Sequence, residues 1–250
     1  MRAFSLLLFS LCLALASAAQ GNRRVLDEKT IVKDSSGTVY PMSIWQPLLM
    51  KGYTLKPENP GDENTSYWLV KMSPEQLKAR LEKMPKPRES QAFTTGKKLS
   101  LFNAHDINGE KLNLRNLKGK IVVLNFWFVD CRPCRLEIPD LNELVDSFKT
   151  NDQVIFAAIA LDDRTTLENF LKLTPFHYRI VDNGRFIADG YRVRSYPTHV
   201  VIDQEGKVYF HTTGLASNTV YWVRKSINEL LDQVSRKDAK EQSHSGAVSH

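Results

Sequence analysis

The chain has 250 residues, 42% of them hydrophobic, enough to bury a sizeable core in one full domain and a smaller one. Lys and Arg total 34 against 28 Asp and Glu, a net charge of +6; the signs alternate along most of the sequence and form no basic stripe interleaved with aromatics, so no nucleic acid is expected as a partner. Three cysteines exclude a disulfide-stapled scaffold.

Residues 1–19 read as a signal peptide. Arg2 precedes an apolar run, SLLLFSLCLALA, too short to span a bilayer, and Ala16-Ser17-Ala18 fits an A-x-A cleavage site. Leu11 before Cys12 fits a lipoprotein signal poorly. The expectation is an exported chain, periplasmic or otherwise extracytoplasmic, that keeps only Cys131 and Cys134.

Residues 20–95 are expected to form a small α+β extension with a structural role. After a polar start, Ile44, Trp45, Leu48 and Leu49 share one helical face, limited by Pro41 and Pro47. Tyr53–Leu55 and Ser66–Val70 read as the strands of a hairpin. Ser73-Pro74-Glu75-Gln76 is a helix start with a capping box. The polar, proline-marked stretch 85–97 places the domain boundary.

From residue 96 strands and helices alternate. Two alternating runs flank Asn108-Gly109, a hairpin turn signal. IVVLNFWF is apolar on both faces, as a covered central strand requires. A helix marked by Leu141, Leu144, Val145 and Phe148 follows, then a buried strand at 154–161, a helix near 165–173 and a short strand at 178–181. A short helix at 185–190 leads to two strands joined at Gln204-Glu205-Gly206 and a final helix from about Asn218. Residues 235–250 have too few apolar side chains to fold and are expected to be disordered.

A C-x-x-C that follows a buried strand and opens a helix puts Cys131 at the helix N-terminus, where unpaired N–H groups and the macrodipole favour a thiolate. Arg132 and Arg135 add positive charge, making Cys131 the expected nucleophile and Cys134 the resolving thiol. A bridge across so short a loop restrains the unfolded chain little, so a purely structural disulfide is disfavoured. Structural zinc lacks its other two ligands, since no second cysteine pair or H-x3-H exists. Cu(I) held by the two thiols and His199 stays open as a metal-handling alternative, although His199 also fits an ordinary strand position.

NFWxxxCxxCRxExPxL and the later YPTxxxID with its turn and strand resemble the TlpA/ResA-like thiol-disulfide oxidoreductases of the thioredoxin superfamily, over residues 96 to 234. The resemblance implies an α/β thioredoxin-like fold, a central mixed sheet flanked by helices. It implies Cys131 as attacking thiol, Cys134 as resolving thiol, Glu137 as an acid near the thiols, and Pro139 as a kink in the helix. Pro197 matches the superfamily's cis-proline, beside which the backbone of Tyr196 would pair with substrate. Asp130 stands where such proteins often carry tryptophan, and Asn125 replaces the acid that thioredoxins bury in the central strand. Phe128 stands where a peroxiredoxin needs threonine, which disfavours a thiol peroxidase.

The expected activity is that of an exported protein-disulfide reductase without cofactor or metal. Its substrates are protein disulfides and its donor a membrane electron carrier, by resemblance in cytochrome c maturation or extracytoplasmic thiol maintenance. A monomer with peripheral membrane contact is the expected form.

Overall fold

The computed structural model describes residues 25–116 and 119–246, with side chains described as far as Arg236; the signal peptide expected at residues 1–19 lies outside them. The chain divides into two compact units between Leu77 and Lys78.

In the first unit, β1 (Val32–Lys33) and β2 (Val39–Tyr40) pair antiparallel. These strands are absent from the sequence reading, because a side chain and not apolar alternation makes them. The Asp34 carboxylate accepts the N–H groups of Ser36 and Thr38 and the hydroxyls of Ser36 and Tyr40. Those bonds, the Ser36 hydroxyl's foremost, hold its pKa down at about 2. Helix α1 (Met42–Met50) buries Trp45. Strands β3 (Tyr53–Pro57) and β4 (Tyr67–Lys71) form the expected hairpin, and the sheet order is β2-β1-β4-β3 with β1 parallel to β4.

Helix α2 (Pro74–Lys83) runs across the division. Its capping box is complete: the Gln76 N–H donates to the Ser73 hydroxyl at 3.2 Å, and the Ser73 N–H donates to Gln76 Oε1 at 3.0 Å.

The second unit opens with the hairpin β5 (Asn103–His105) and β6 (Lys111–Asn113), turned at Gly109 with φ 84°. There follow β7 (Ile121–Trp127), α3 (Arg132–Ser147), β8 (Val154–Ala160), α4 (Arg164–Leu171), β9 (Arg179–Val181), α5 (Arg185–Gly190), β10 (Thr198–Ile202), β11 (Val208–Thr213) and α6 (Thr219–Gly246). The sheet order is β11-β10-β7-β8-β9. β7, β8 and β9 are parallel, and β10 is antiparallel to both its neighbours. This is the expected mixed sheet of a thioredoxin-like fold.

Every residue of β7 is buried, as its two-sided apolar run requires. Ile121, Val123 and Trp127 share a core with Ile138, Leu141 and Leu144 of α3 and Val223, Ile227 and Leu230 of α6. Val122, Leu124 and Phe126 point the other way, into a core with Phe93, Leu112, Leu114 and Ala188. By the same alternation Asn125 lies on the α3 face.

Two boundaries differ from expectation. The segment before residue 96 belongs with the second unit because it is bonded along β11. The Thr213 N–H donates to the Arg88 carbonyl, the Gly96 N–H to that of Val208, the Val208 N–H to that of Lys97 and the Leu99 N–H to that of Gly206. At the other end, α6 continues to Gly246 through the stretch expected to be disordered. Lys, Ala, Glu and Gln are good helix formers, and extending an existing helix needs no new nucleus.

Candidate active site

β7 delivers the chain to a turn in which the Cys131 N–H donates to the Phe128 carbonyl at 3.1 Å. The Asp162 carboxylate, just beyond β8, accepts the Val129 N–H at 2.8 Å and ties the turn to the neighbouring strand. Cys131 is the N-cap of α3, extended at φ −75° and ψ 94°, and its Sγ accepts the N–H of Cys134 at 3.2 Å. Pro133 sits in the first turn, where no N–H is required. Cys131 and Cys134 form a disulfide with their Cα atoms 5.2 Å apart.

The two cysteines are buried alike in this state, 4% and 3% exposed. Phe128 and Tyr196 meet edge to face at 5.5 Å, and both pack on the cluster that holds the two cysteines. Asp130, Arg132 and Arg135 are all exposed, where solvent and salt weaken their pull on the sulfur. The backbone N–H of Cys134 is the direct donor to the Cys131 sulfur.

The Tyr196–Pro197 peptide is cis, as the resemblance implies. The Pro197 carbonyl accepts the Gly214 N–H at 2.8 Å. Through the Phe128 contact, Tyr196 reaches the turn that carries Cys131.

Glu137 is buried, not exposed on the helix surface. It follows Cys134 by three residues on α3, so the two side chains share a face. Its Oε2 lies 2.9 Å from His199 Nε2, and its Oε1 has no hydrogen-bond partner. His199 is fully buried on β10, directly opposite Asn125, whose Nδ2 is 3.2 Å from Nδ1 and 3.4 Å from Nε2. Burial first, and the Glu137 carboxylate second, push the Tyr178 phenol far above its usual pKa.

Four of these positions have roles beyond the sequence reading. His199 appeared there as a strand residue or copper ligand; its ring instead contacts Glu137 and Asn125. Among the described residues no group of three or more His, Cys, Asp or Glu side chains is placed to hold a metal. Asn125 appeared only as a missing acid, while Asp162 and Tyr178 carried no motif. The available hint was period-two alternation from Pro197, which sets His199 and Val201 on one face.

Comparison with known proteins agrees with this geometry. The family model described as AhpC/TSA matches residues 95–211. Over 121 residues the chain is 36% identical to the thiol-disulfide oxidoreductase ResA of a Bacillus cereus strain, covering 48% of this chain and 70% of that protein. The ResA of Bacillus subtilis (strain 168) is 32% identical over 131 residues, covering 52% and 73%. The crystal structure of a provisionally assigned thiol:disulfide interchange protein DsbE from Chlorobium tepidum superposes with a TM-score of 0.51 at 25% identity, covering 56% of this chain and 99% of that one. A helix-capping dithiol pair on a thioredoxin fold and this level of kinship together place the chain in the ResA-like family of thiol-disulfide oxidoreductases.

Proposed function

We propose that the chain is an exported protein-disulfide reductase in which Cys131 attacks and Cys134 resolves. The observation that carries this reading is the Cys134 N–H donated to Cys131 Sγ at the start of α3, a bond that strengthens when the sulfur is a thiolate. In the reduced protein the Cys131 thiolate attacks one sulfur of a substrate disulfide and expels the other as a thiolate, which takes a proton from solvent. Cys134 then gives its proton to Glu137 and attacks Cys131 Sγ. This closes the Cys131–Cys134 disulfide and releases the second substrate thiolate, which collects the proton held by Glu137. Two electrons and two protons thus reach the substrate, and no cofactor takes part.

The backbone beside cis-Pro197 at Tyr196 is the proposed strand-like dock for the substrate segment. A membrane electron carrier would restore the dithiol, and cytochrome c maturation or extracytoplasmic thiol maintenance is the setting proposed. No helix among the described residues is long and apolar enough to cross a membrane. Peripheral contact with that donor, made by a monomer, is part of the same proposal.

Insulin reduction driven by dithiothreitol tests the reading. Cys131→Ser should abolish turnover, and Cys134→Ser should accumulate a mixed disulfide with the substrate. Wild-type turnover by Cys131→Ser would overturn the assignment. The redox direction is read from the potential of the pair: about −270 mV supports a reductase and about −120 mV an oxidant. Cu(I) titration and peroxide consumption of the reduced protein check the metal and peroxidase alternatives.

A further inference from the structure

Antiparallel pairing of β10 with β7 sets His199 against Asn125, both on the sheet face covered by α3. From α3, Glu137 reaches down to the same point. The donors and acceptors of this buried trio satisfy one another in a simple arrangement with a neutral ring. The Asn125 amide nitrogen donates, and its nearer neighbour is Nδ1 at 3.2 Å, so Nδ1 offers its lone pair. The ring proton is then on Nε2, which donates to Glu137 Oε2 at 2.9 Å.

The carboxylate is held by one oxygen only. Oε1 is buried and unpartnered while the cysteines are joined, and a buried acceptor without a donor is costly. Reduction creates a thiol on Cys134, one helical turn earlier on the same face, and with it a donor. The titratable groups that face Glu137 are His199 from β10, Tyr178 from the segment before β9 and Cys134 from its own helix. Among these only the histidine is hydrogen-bonded to the carboxylate.

We propose that His199, its tautomer set by Asn125, is a positioning residue for the dithiol: it holds Glu137 in place through Oε2 and leaves Oε1 to take the proton of Cys134. Removing the imidazole leaves the carboxylate desolvated and without its donor. The carboxyl group is then free to turn, and Oε1 is no longer held in place for the proton of Cys134. The inference rests on the reading of Glu137 as the acid of the exchange reaction.

The test is the pH dependence of insulin reduction and of the Cys131/Cys134 potential in the full chain. His199→Leu should change the shape of the turnover pH profile and slow the reaction at neutral pH roughly tenfold, through kcat with KM unchanged. His199→Gln, which keeps an N–H donor, should recover most of the loss. Combining His199→Leu with Glu137→Gln should be no worse than Glu137→Gln alone. A folded His199→Leu protein with the wild-type profile, or one whose loss persists undiminished in the Glu137→Gln background, would overturn the proposal. If the leucine variant does not fold, NMR of the His199 ring in Glu137→Gln decides: an altered ring titration supports the link, and an unaltered one overturns it. Turnover by Cys131→Ser would instead sink the exchange mechanism, an outcome that the ring titration does not depend on.

Discussion

The backbone N–H of Ser90 donates to Nδ1 of His211 across 3.1 Å, joining positions 121 apart in sequence. His211 is buried on β11. Burial is the largest influence lowering its pKa; Lys86 acts the same way and Glu89 against it. A histidine with a depressed folded pKa binds protons preferentially in the unfolded chain, so stability falls as the pH drops below about 6.5 towards the folded value. The urea midpoint should therefore fall between pH 7 and pH 5. His211→Asn keeps an acceptor for Ser90 but cannot titrate, and should flatten that slope. An unchanged slope would assign the loss to other groups.

Asp106 is the knot of the β5–β6 turn. Its carboxylate accepts the N–H groups of Asn108 and Glu110, each at 3.0 Å, and the Arg179 Nε–H at 2.9 Å. Asp106→Ala should cost roughly 2–3 kcal/mol in chemical denaturation, since it strands two turn N–H groups and the guanidinium together. Asp106→Asn, which keeps an acceptor oxygen, should cost less.

Gly184 caps α5 in a space with no room for a side chain. A Cβ there would lie 2.4 Å from Ile159 Cγ2 and 2.8 Å from the Ala160 carbonyl oxygen. Gly184→Ala should destabilise the fold by about 1–3 kcal/mol, read as a lowered Tm. Trimming Ile159 should not restore stability, because the second obstacle is backbone.

Alkylation of the reduced protein separates helix-end donation from side-chain charge. Iodoacetamide should label Cys131 before Cys134, with an apparent pKa below the usual value of about 8.5. Neutralising both arginines, Arg132→Gln with Arg135→Gln, should slow labelling less than about fivefold, as exposed charges act through about 1 kcal/mol or less. A larger loss, mapped by mass spectrometry of the labelled site, would return control to the arginines.

The parts of the fold legible in the sequence are those written in local chemistry. The Ser73–Gln76 capping box, the Asn108-Gly109 turn and the two-sided apolar run of β7 each depend on neighbours within a few residues, and each formed as expected. Cys131 at the N-cap of α3 followed from the same local logic. What stayed hidden depends on distant partners. Glu137 and His199 are 62 residues apart, and only the packing of α3 over the sheet brings them together. The β1–β2 turn escapes a hydrophobic pattern because Asp34 builds it. The Phe128–Tyr196 pair, packed on the cluster that holds the cysteines, joins two loops that no spacing rule connects.

The five-stranded sheet has two rims, and each is occupied. Along β11, residues 88–99 exchange backbone hydrogen bonds with the strand without forming a regular one themselves, joined to it by a single bridge between Lys98 and Lys207. On the far side β9 is only three residues long; the Ile180 carbonyl takes the Ile107 N–H, and Arg179 reaches the carbonyls of Glu110 and Lys111. Among the described residues, an incoming chain finds no continuous row of free N–H and C=O groups at either rim. The strand-like dock proposed at Tyr196 would thereby let a substrate segment go, instead of growing a shared sheet with it.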